Sequence, residues 1–180
     1  KIILDHGFTN PTAVIWATTE WDGNIFIVDE HYEAGKPVSY HAEAIKKRDN
    51  TKVVEWLIDP SCAAKTQQKK YADGRVAVKS IIDEYKNEGL TFYPANNDQL
   101  SGINRVNEMF KSGRLKIFKS CVNTIEEVSN WKWKKLRPGV YKNDPDEPQD
   151  FRNHTCDELI YLSPSILEKS SYPEEEITPN

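Results

Sequence analysis

The fold is decided by residues 1–32, which read KIILDHGFTNPTAVIWATTEWDGNIFIVDEHY. Three stretches of this segment are rich in apolar and β-branched residues: 1–5, 12–20 and 24–32. Such stretches, bounded by turn-forming residues, are typical of strands. Asp22-Gly23 lies between the second and the third stretch and is a strong signal for a tight hairpin. The sequence therefore predicts that the chain begins with a three-stranded antiparallel meander.

Beyond the meander, helix-like and strand-like patterns alternate. The spacing of apolar residues predicts helices over 38–47, 75–89 and 99–113, a helix or a helix followed by a turn over 124–135, and a last helix that begins near 153. Strands are predicted within 51–60, 90–95 and 114–120. This order favours an α/β fold with one mixed sheet, parallel strands following the meander, and helices on both faces. It matches the ribonuclease H-like architecture. We expect a single domain over 1–170, followed by a flexible acidic tail over 171–180.

The composition of the 180 residues limits the class of protein. Hydrophobic residues make up 38% of the chain, and no apolar run reaches the length of about 18 residues that a membrane span needs. The three cysteines lie far apart without a CxxC pair, which argues against a zinc site of the usual spacing and favours reduced thiols. The first residues have strand character, so we expect no secretion signal and a domain of a longer protein.

The net charge of −4 does not exclude a nucleic-acid partner. Three of the negative charges belong to the acidic tail, and the local sign of the surface matters more than the sum. Candidate DNA contacts are Lys46, Lys47, Arg48, Lys65, Lys69, Lys70, Lys132 and Lys134. Basic clusters of this kind are more often solvated faces than DNA contacts, so both interpretations stay open.

Three aspartates fall where ligands gather in α/β sheets. Asp5 ends the first strand, Asp59 ends the strand after the first helix, and Asp157 lies in the first turns of the last helix. The two strands are neighbours in the proposed fold, so all three acids are expected at one edge of the sheet. Converging carboxylates repel each other unless a cation lies among them, and oxygen ligands favour Mg²⁺ or Mn²⁺. Two such ions about 3.5–4 Å apart can clamp a phosphodiester.

Each of these acids also has an ordinary structural explanation. An aspartate before a turn is often only a cap, and Asp157 fits any polar position of a helix. His154 lies three residues before Asp157 on the same helix face, where it can bind a metal, orient water, shuttle a proton or simply bond to backbone. Glu30 is a weaker acid candidate, which fits a surface or a supporting position equally well. The joint placement of the acids, rather than any single one, favours a metal site.

Five segments in this order resemble the nuclease domain of the large terminase subunit of tailed bacteriophages. They read LDHGFTNPTAVIWA, GNIFIVDEHYEAG, LIDPSCA, SGINRVNEMFKSGRLKIFKSCVNTIEEVSNWKW and NHTCDELIYL. The resemblance implies that Asp5, Asp59 and Asp157 bind two Mg²⁺ or Mn²⁺ ions and that His154 is a catalytic residue. In one departure, Asn153 precedes the histidine where family members commonly have an aspartate. The implied activity is metal-dependent cleavage of concatemeric double-stranded viral DNA during packaging, with low sequence specificity.

The resemblance also implies partners. They are double-stranded DNA, an upstream ATPase motor domain of the same subunit, the small terminase subunit and the capsid portal, in the cytoplasm of a bacterial host and away from membranes. The chain contains no GxxxxGK[ST] phosphate loop, so we expect the nuclease half alone. A proline-rich stretch over 136–151 is predicted to flank the active site and to gate substrate entry.

Three other functions share parts of this pattern. Asp5 to Thr9 fit the DxGxT phosphate loop of actin-like ATPases, although such enzymes need a second half-domain that this chain is too short to hold. A related nuclease such as a junction resolvase would prefer four-way junctions to linear duplex. A catalytically silent interaction module would tolerate the loss of the acids.

Overall fold

The computed structural model describes residues 1–48, 50–65, 67–70, 76–132 and 153–162. The strands are β1 Ile2–Asp5, β2 Thr12–Thr19, β3 Ile25–Glu33, β4 Trp56–Ile58, β5 Gln67–Lys70, β6 Val76–Lys79, β7 Tyr93–Pro94 and β8 Leu115–Ile117. The helices are α1 Val38–Lys46, α2 Ile81–Asn87, α3 Gln99–Lys111, α4 Val122–Asn130 and α5 His154–Leu162, with a 3₁₀ turn at Pro60–Ala63. Within these ranges no helix combines the length and the apolar character needed to cross a membrane.

Six strands form one mixed sheet in the order β7-β4-β1-β2-β3-β8. The first three strands pair antiparallel as the predicted meander. Strands β4, β7 and β8 run parallel to their neighbours β1, β4 and β3. The predicted mixed sheet is therefore confirmed, and every strand of it except β2 has its carboxyl end at the same edge.

The alternation of side chains along the strands gives the sheet two buried faces. Ile3 and Leu57 pack on one face beneath α3 and α5, while Ile2 and Ile58 pack on the other beneath α1 and α2. Complete burial of such a side chain contributes about 1.5–3 kcal/mol. Helices on both faces were predicted from the element order, and the two clusters show that both faces are filled.

The predicted helix over 75–89 is wrong at its start. Residues 76–79 form strand β6, which pairs antiparallel with β5 as a separate two-stranded sheet. The helix begins only at Ile81 because Ser80 and Asp83 form a capping box, in which Asp83 N donates to Ser80 Oγ at 3.1 Å and Ser80 N donates to Asp83 Oδ2 at 3.0 Å. The hairpin signal Asp73-Gly74 in the sequence could have revealed this strand pair.

Other predicted elements are shorter or fall outside the described ranges. The helix predicted over 124–135 is found as Val122–Asn130, and the strand predicted within 51–60 as Trp56–Ile58. The proline-rich stretch over 136–151 and the acidic tail over 171–180 lie outside the described residues. The single-domain boundary at 170 stays a prediction for the same reason.

Candidate active site

Asp5 and Asp59 lie at the carboxyl ends of neighbouring parallel strands. Leu4 of β1 is opposite Ile58 of β4, and Asp59 N donates to Leu4 O at 3.0 Å. Side chains alternate along a strand, so Asp5 points to the same face as Ile3, which is the face that α5 covers. The 3₁₀ turn fixes the second acid, because Asp59 Oδ1 accepts from Ser61 N at 2.6 Å.

Helix α5 crosses this edge and contacts both acids. His154 Nδ1 lies 2.7 Å from Asp5 Oδ2, and Tyr161 OH donates to Asp59 Oδ2 at 2.5 Å. The two residues are seven positions apart, or about two helical turns, so they lie on one face of α5. A single helix therefore links the ends of two strands that are far apart in the sequence.

Asp157 lies between those two contacts, in the first turn of α5. Its charge acts on both His154 and Tyr161, which places it at the same edge. Asn153 Nδ2 donates to Asp157 Oδ2 at 2.9 Å, and Asp157 N donates to Asn153 O at 2.9 Å. Asn153, the residue at which the sequence departs from the pattern described above, therefore orients the side chain of Asp157.

The electrostatics of this edge are those of crowded acids. Burial raises the pKa of Asp5, the His154 contact opposes that rise, and the charges of Asp59 and Glu127 add to it. The hydrogen bond to Asp5 raises the pKa of His154 against the effect of burial. The pair thus stabilises a protonated imidazole beside a partly desolvated carboxyl group. A positive charge at this edge is favourable.

The donor set of this edge fits a divalent cation. Three aspartates supply the hard oxygen ligands that Mg²⁺ and Mn²⁺ bind. Within the described part of the chain, no group of three or more His, Cys, Asp or Glu side chains is placed to hold a metal ion. Each aspartate instead accepts a hydrogen bond from a protein donor, as expected of carboxylates that repel one another.

Glu127 of α4 anchors the first turn of α5, a function that the sequence did not reveal. It is 3% exposed, and its Oε2 accepts from Thr155 N and from Thr155 Oγ1, both at 2.7 Å. Its Oε1 accepts from Tyr32 OH of β3 at 2.5 Å. Thr155 follows His154 directly, so this buried carboxylate fixes the helix end that carries the histidine.

A sequence profile described as the terminase RNaseH-like domain matches residues 2–153. The chain belongs to this terminase family. The large terminase subunit of Escherichia phage T5 is 25% identical over 160 residues, which are 88% of this chain and 33% of the relative. The terminase domain thus spans about a third of that protein's length.

Solved terminase structures share the fold of this terminase domain. The large terminase of a thermophilic bacteriophage gives a TM-score of 0.70 at 21% identity, covering 93% of this chain and 39% of that one. The P22 large terminase nuclease domain gives 0.64 at 14% identity, covering 93% and 80%. The nuclease domain of the bacteriophage SPP1 large terminase with bound Mn gives 0.61 at 18% identity, covering 93% and 84%. The predicted family and the ribonuclease H-like fold are confirmed.

The lysines and the arginine near the end of α1 do not lie at the carboxylate edge of the terminase domain. The Arg48 guanidinium lies 4.3 Å from the ring centre of Trp16, which pairs with Ile2 at the opposite end of β1 from Asp5. Helix α1 runs back across the sheet between two parallel strands, so its last residues reach that opposite end. The structure therefore does not bring this group to the acids.

The predicted DNA contacts differ in where the structure places their side chains. Lys46 Nζ donates to Glu88 O at 2.7 Å, and Lys47 lies 3.1 Å from Glu43. Lys65 and Lys132 are exposed. Lys69 and Lys70 belong to β5, outside the main sheet, and Lys134 lies outside the described residues. A DNA contact by any of these side chains stays a prediction.

Glu30 supports the terminase fold rather than the acid cluster. Its Oε1 accepts from Asn123 N at 2.9 Å and Asn123 Nδ2 at 2.8 Å. Its Oε2 accepts from Thr124 N at 2.9 Å and Thr124 Oγ1 at 2.7 Å. These bonds satisfy the first backbone N–H groups of α4. Glu30 thus caps α4, and the support of the acid site that the sequence left open for it stays a prediction.

Glu158, which follows Asp157 on α5, is a further acid, and the sequence did not single it out. It is 0% exposed, and both carboxyl oxygens lack a hydrogen-bond partner among the described residues. Burial raises its pKa well above the ordinary value, repulsion from Asp5 and Glu127 adds to the rise, and the backbone of Asp5 opposes it. The position directly after Asp157 is the only signal that the sequence offers for it.

Proposed function

We propose that this domain is a divalent-metal-dependent endonuclease that cuts concatemeric double-stranded viral DNA during genome packaging, with low sequence specificity. The observation that carries the proposal is the meeting of Asp5 and Asp59 on one face at neighbouring strand ends, where α5 contacts both. Membership of the terminase RNaseH-like family supports it. So does the Mn bound to the nuclease domain of phage SPP1, which has the same fold.

Asp5, Asp59 and Asp157 would hold two Mg²⁺ or Mn²⁺ ions. When bound, such ions activate a water molecule and stabilise the leaving oxygen of a phosphodiester. The chain's own groups orient these ligands. His154 Nδ1 fixes one oxygen of Asp5 and leaves Nε2 to hold or release a proton at the edge.

In this proposal Tyr161 positions Asp59, and the Cys62 thiol takes no part in the reaction. Burial and the hydrogen bond to Asp59 raise the pKa of Tyr161, so its hydroxyl keeps its proton and serves as a donor to the carboxylate. Burial raises the pKa of Cys62 to about 12, so this thiol stays protonated and is a poor nucleophile at neutral pH. Direct attack by water on the phosphodiester therefore agrees better with these residues than a covalent intermediate.

The partners follow from the same proposal. Contacts to phosphates rather than to base edges would dominate, so binding would weaken strongly with salt. The chain covers 33% of the phage T5 large subunit. An ATPase motor domain upstream in the same subunit, the small terminase subunit and the capsid portal would select and deliver the DNA in the cytoplasm of the bacterial host.

The test is cleavage of supercoiled plasmid by the purified chain with Mn²⁺, with Mg²⁺ and with a chelator. Asp5→Asn and Asp59→Asn should each lower the cleavage rate at least about 100-fold, because each removes a charged metal ligand. Glu108→Gln is the matched control, since that carboxylate is 71% exposed on α3. Parent-like cleavage by both aspartate variants would refute the proposal, and a strong preference for four-way junctions would instead indicate a resolvase.

A further inference from the structure

Glu158 differs from the buried Glu127 and the partly buried Glu30 in the hydrogen bonds that its carboxyl group accepts. Glu127 accepts three hydrogen bonds and Glu30 accepts four, so both are satisfied by the fold. Glu158 is fully buried, and neither oxygen has a partner at hydrogen-bond distance and angle among the described residues, although the nearby backbone of Asp5 lowers its pKa. A buried polar group without a partner is costly, and native proteins keep such groups where a water, an ion or a reaction needs them.

The position of Glu158 on α5 directs it to the acid edge. It is four residues after His154, which contacts Asp5, and three residues before Tyr161, which contacts Asp59. Positions i, i+4 and i+7 of a helix share one face, so Glu158 lies midway along the stripe that faces the two acids. The charge that acts on it most strongly is that of Asp5.

The groups around Glu158 suggest a cation as its missing partner. After Asp5, the charges that act on it are those of Glu127 and Glu30, which are also acids. A second ionised carboxylate offers no donor to Glu158, whereas a divalent ion at Asp5 would balance both charges at once. A structural function would instead require donors of the kind that surround Glu127.

We propose that Glu158 is a fourth carboxylate ligand of the metal centre, joining Asp5, Asp59 and Asp157 when divalent ions are bound. This inference rests on the proposed function and adds a ligand to the same site. Glu158 is fully buried on α5, while Asp59 directly follows the strand that neighbours β1. Its removal should therefore weaken ion binding and relieve the fold of an unsatisfied group.

The experiment measures Mn²⁺ binding and thermal unfolding of the purified 180-residue chain, with Mn²⁺ alone as the probe. Electron paramagnetic resonance of free Mn²⁺ gives the number of bound ions and their dissociation constants. The variants are Glu158→Leu, which fits the apolar surroundings, and Glu158→Gln, which keeps the shape if the leucine variant does not fold. Asp5→Asn serves as the reference for loss of the centre. Glu30→Gln is the matched control, because donors already occupy its oxygens.

Glu158→Leu should raise the Tm of the metal-free chain by about 2–10 °C, because it removes an unpartnered buried carboxyl group. It should also weaken Mn²⁺ binding at least about tenfold, or remove one ion, and Glu158→Gln should weaken binding similarly. Glu30→Gln should lower the Tm and leave Mn²⁺ binding within about twofold.

Three results would overturn the inference. If Asp5→Asn loses Mn²⁺ and both Glu158 variants bind it like the parent, the metal centre stands and Glu158 is not its ligand. If the parent chain binds no Mn²⁺, both the metal centre and the inference about Glu158 are wrong. A lower Tm with unchanged Mn²⁺ binding in the Glu158 variants would mean that the residue is structural.

Discussion

Replacement of Glu127 by alanine tests how the first turn of α5 is held. The buried carboxylate accepts from Thr155 N, Thr155 Oγ1 and Tyr32 OH at 2.7, 2.7 and 2.5 Å. Truncation removes all three acceptor contacts and leaves the two buried donors of Thr155 without the carboxylate. Thr155 is 1% exposed, so water cannot easily replace the lost carboxylate.

The size of the effect follows from the number and kind of these bonds. A hydrogen bond to a charged group contributes about 1.5–3 kcal/mol, and loss of one partner of a buried charged network costs about 3–5 kcal/mol in total. We therefore expect Glu127→Ala to lower the free energy of unfolding by about 3–5 kcal/mol, a large part of the roughly 5–15 kcal/mol typical of a domain. Glu127→Gln keeps one acceptor oxygen and should cost less, about 1–2 kcal/mol.

Urea unfolding followed by circular dichroism measures these differences, with Glu126→Gln as the exposed neighbour on the same helix. A double-mutant cycle with Thr155→Val isolates the contact, because residues of one network couple by about 0.5–3 kcal/mol. A Glu127→Ala loss below about 1 kcal/mol, or a coupling energy near zero, would refute the anchoring function. A loss equal to that of Glu126→Gln would do the same.

Three further predictions concern other contacts of the fold. Tyr161→Phe removes the donor to Asp59 and should lower the free energy of unfolding, measured in urea, by about 1–2 kcal/mol. The control Tyr93→Phe, at a residue that is 64% exposed, should change it by no more than about 0.5 kcal/mol. Equal effects of the two substitutions would contradict the contact between Tyr161 and Asp59. Gly102→Ala forces a methyl group against Ile160 of α5 and should lower the Tm. Overpacking costs about 1–3 kcal/mol, which outweighs the gain in helix propensity from alanine. A higher Tm would show that α3 and α5 do not pack this closely. Burial, with a contribution from the charge of His41, lowers the pKa of His6 to about 4. As the pH drops, the unfolded chain therefore takes up the proton on His6 before the folded chain does. The free energy of unfolding consequently falls as the pH drops from 6.5 towards 4. His6→Gln should remove about 2 kcal/mol of the stability difference between pH 7 and pH 5, and an identical pH dependence in the variant and the parent would contradict this shift.

Local patterns were sufficient for the elements that carry the acids. The β-branched stretches and the Asp22-Gly23 turn predicted the meander, because side-chain periodicity and turn chemistry act over a few residues. The stretch over 76–79 was missed because a strand and the first turn of an amphipathic helix look alike over four residues. The capping box at Ser80 decides between them.

Apart from the β5-β6 pair, the amino-acid sequence by itself determined the order of strands and helices, and it placed Asp5, Asp59 and Asp157 near the ends of their elements. Only the tertiary structure decided which side chains contact them. His154 and Asp5 are 149 residues apart, and Tyr161 and Asp59 are 102 apart. The same holds for the carboxyl group of Glu158, which has no hydrogen-bond partner within the part of the chain that the structure describes. Burial and hydrogen-bond partners depend on how α5 packs across the sheet, and no periodicity of the sequence records that packing.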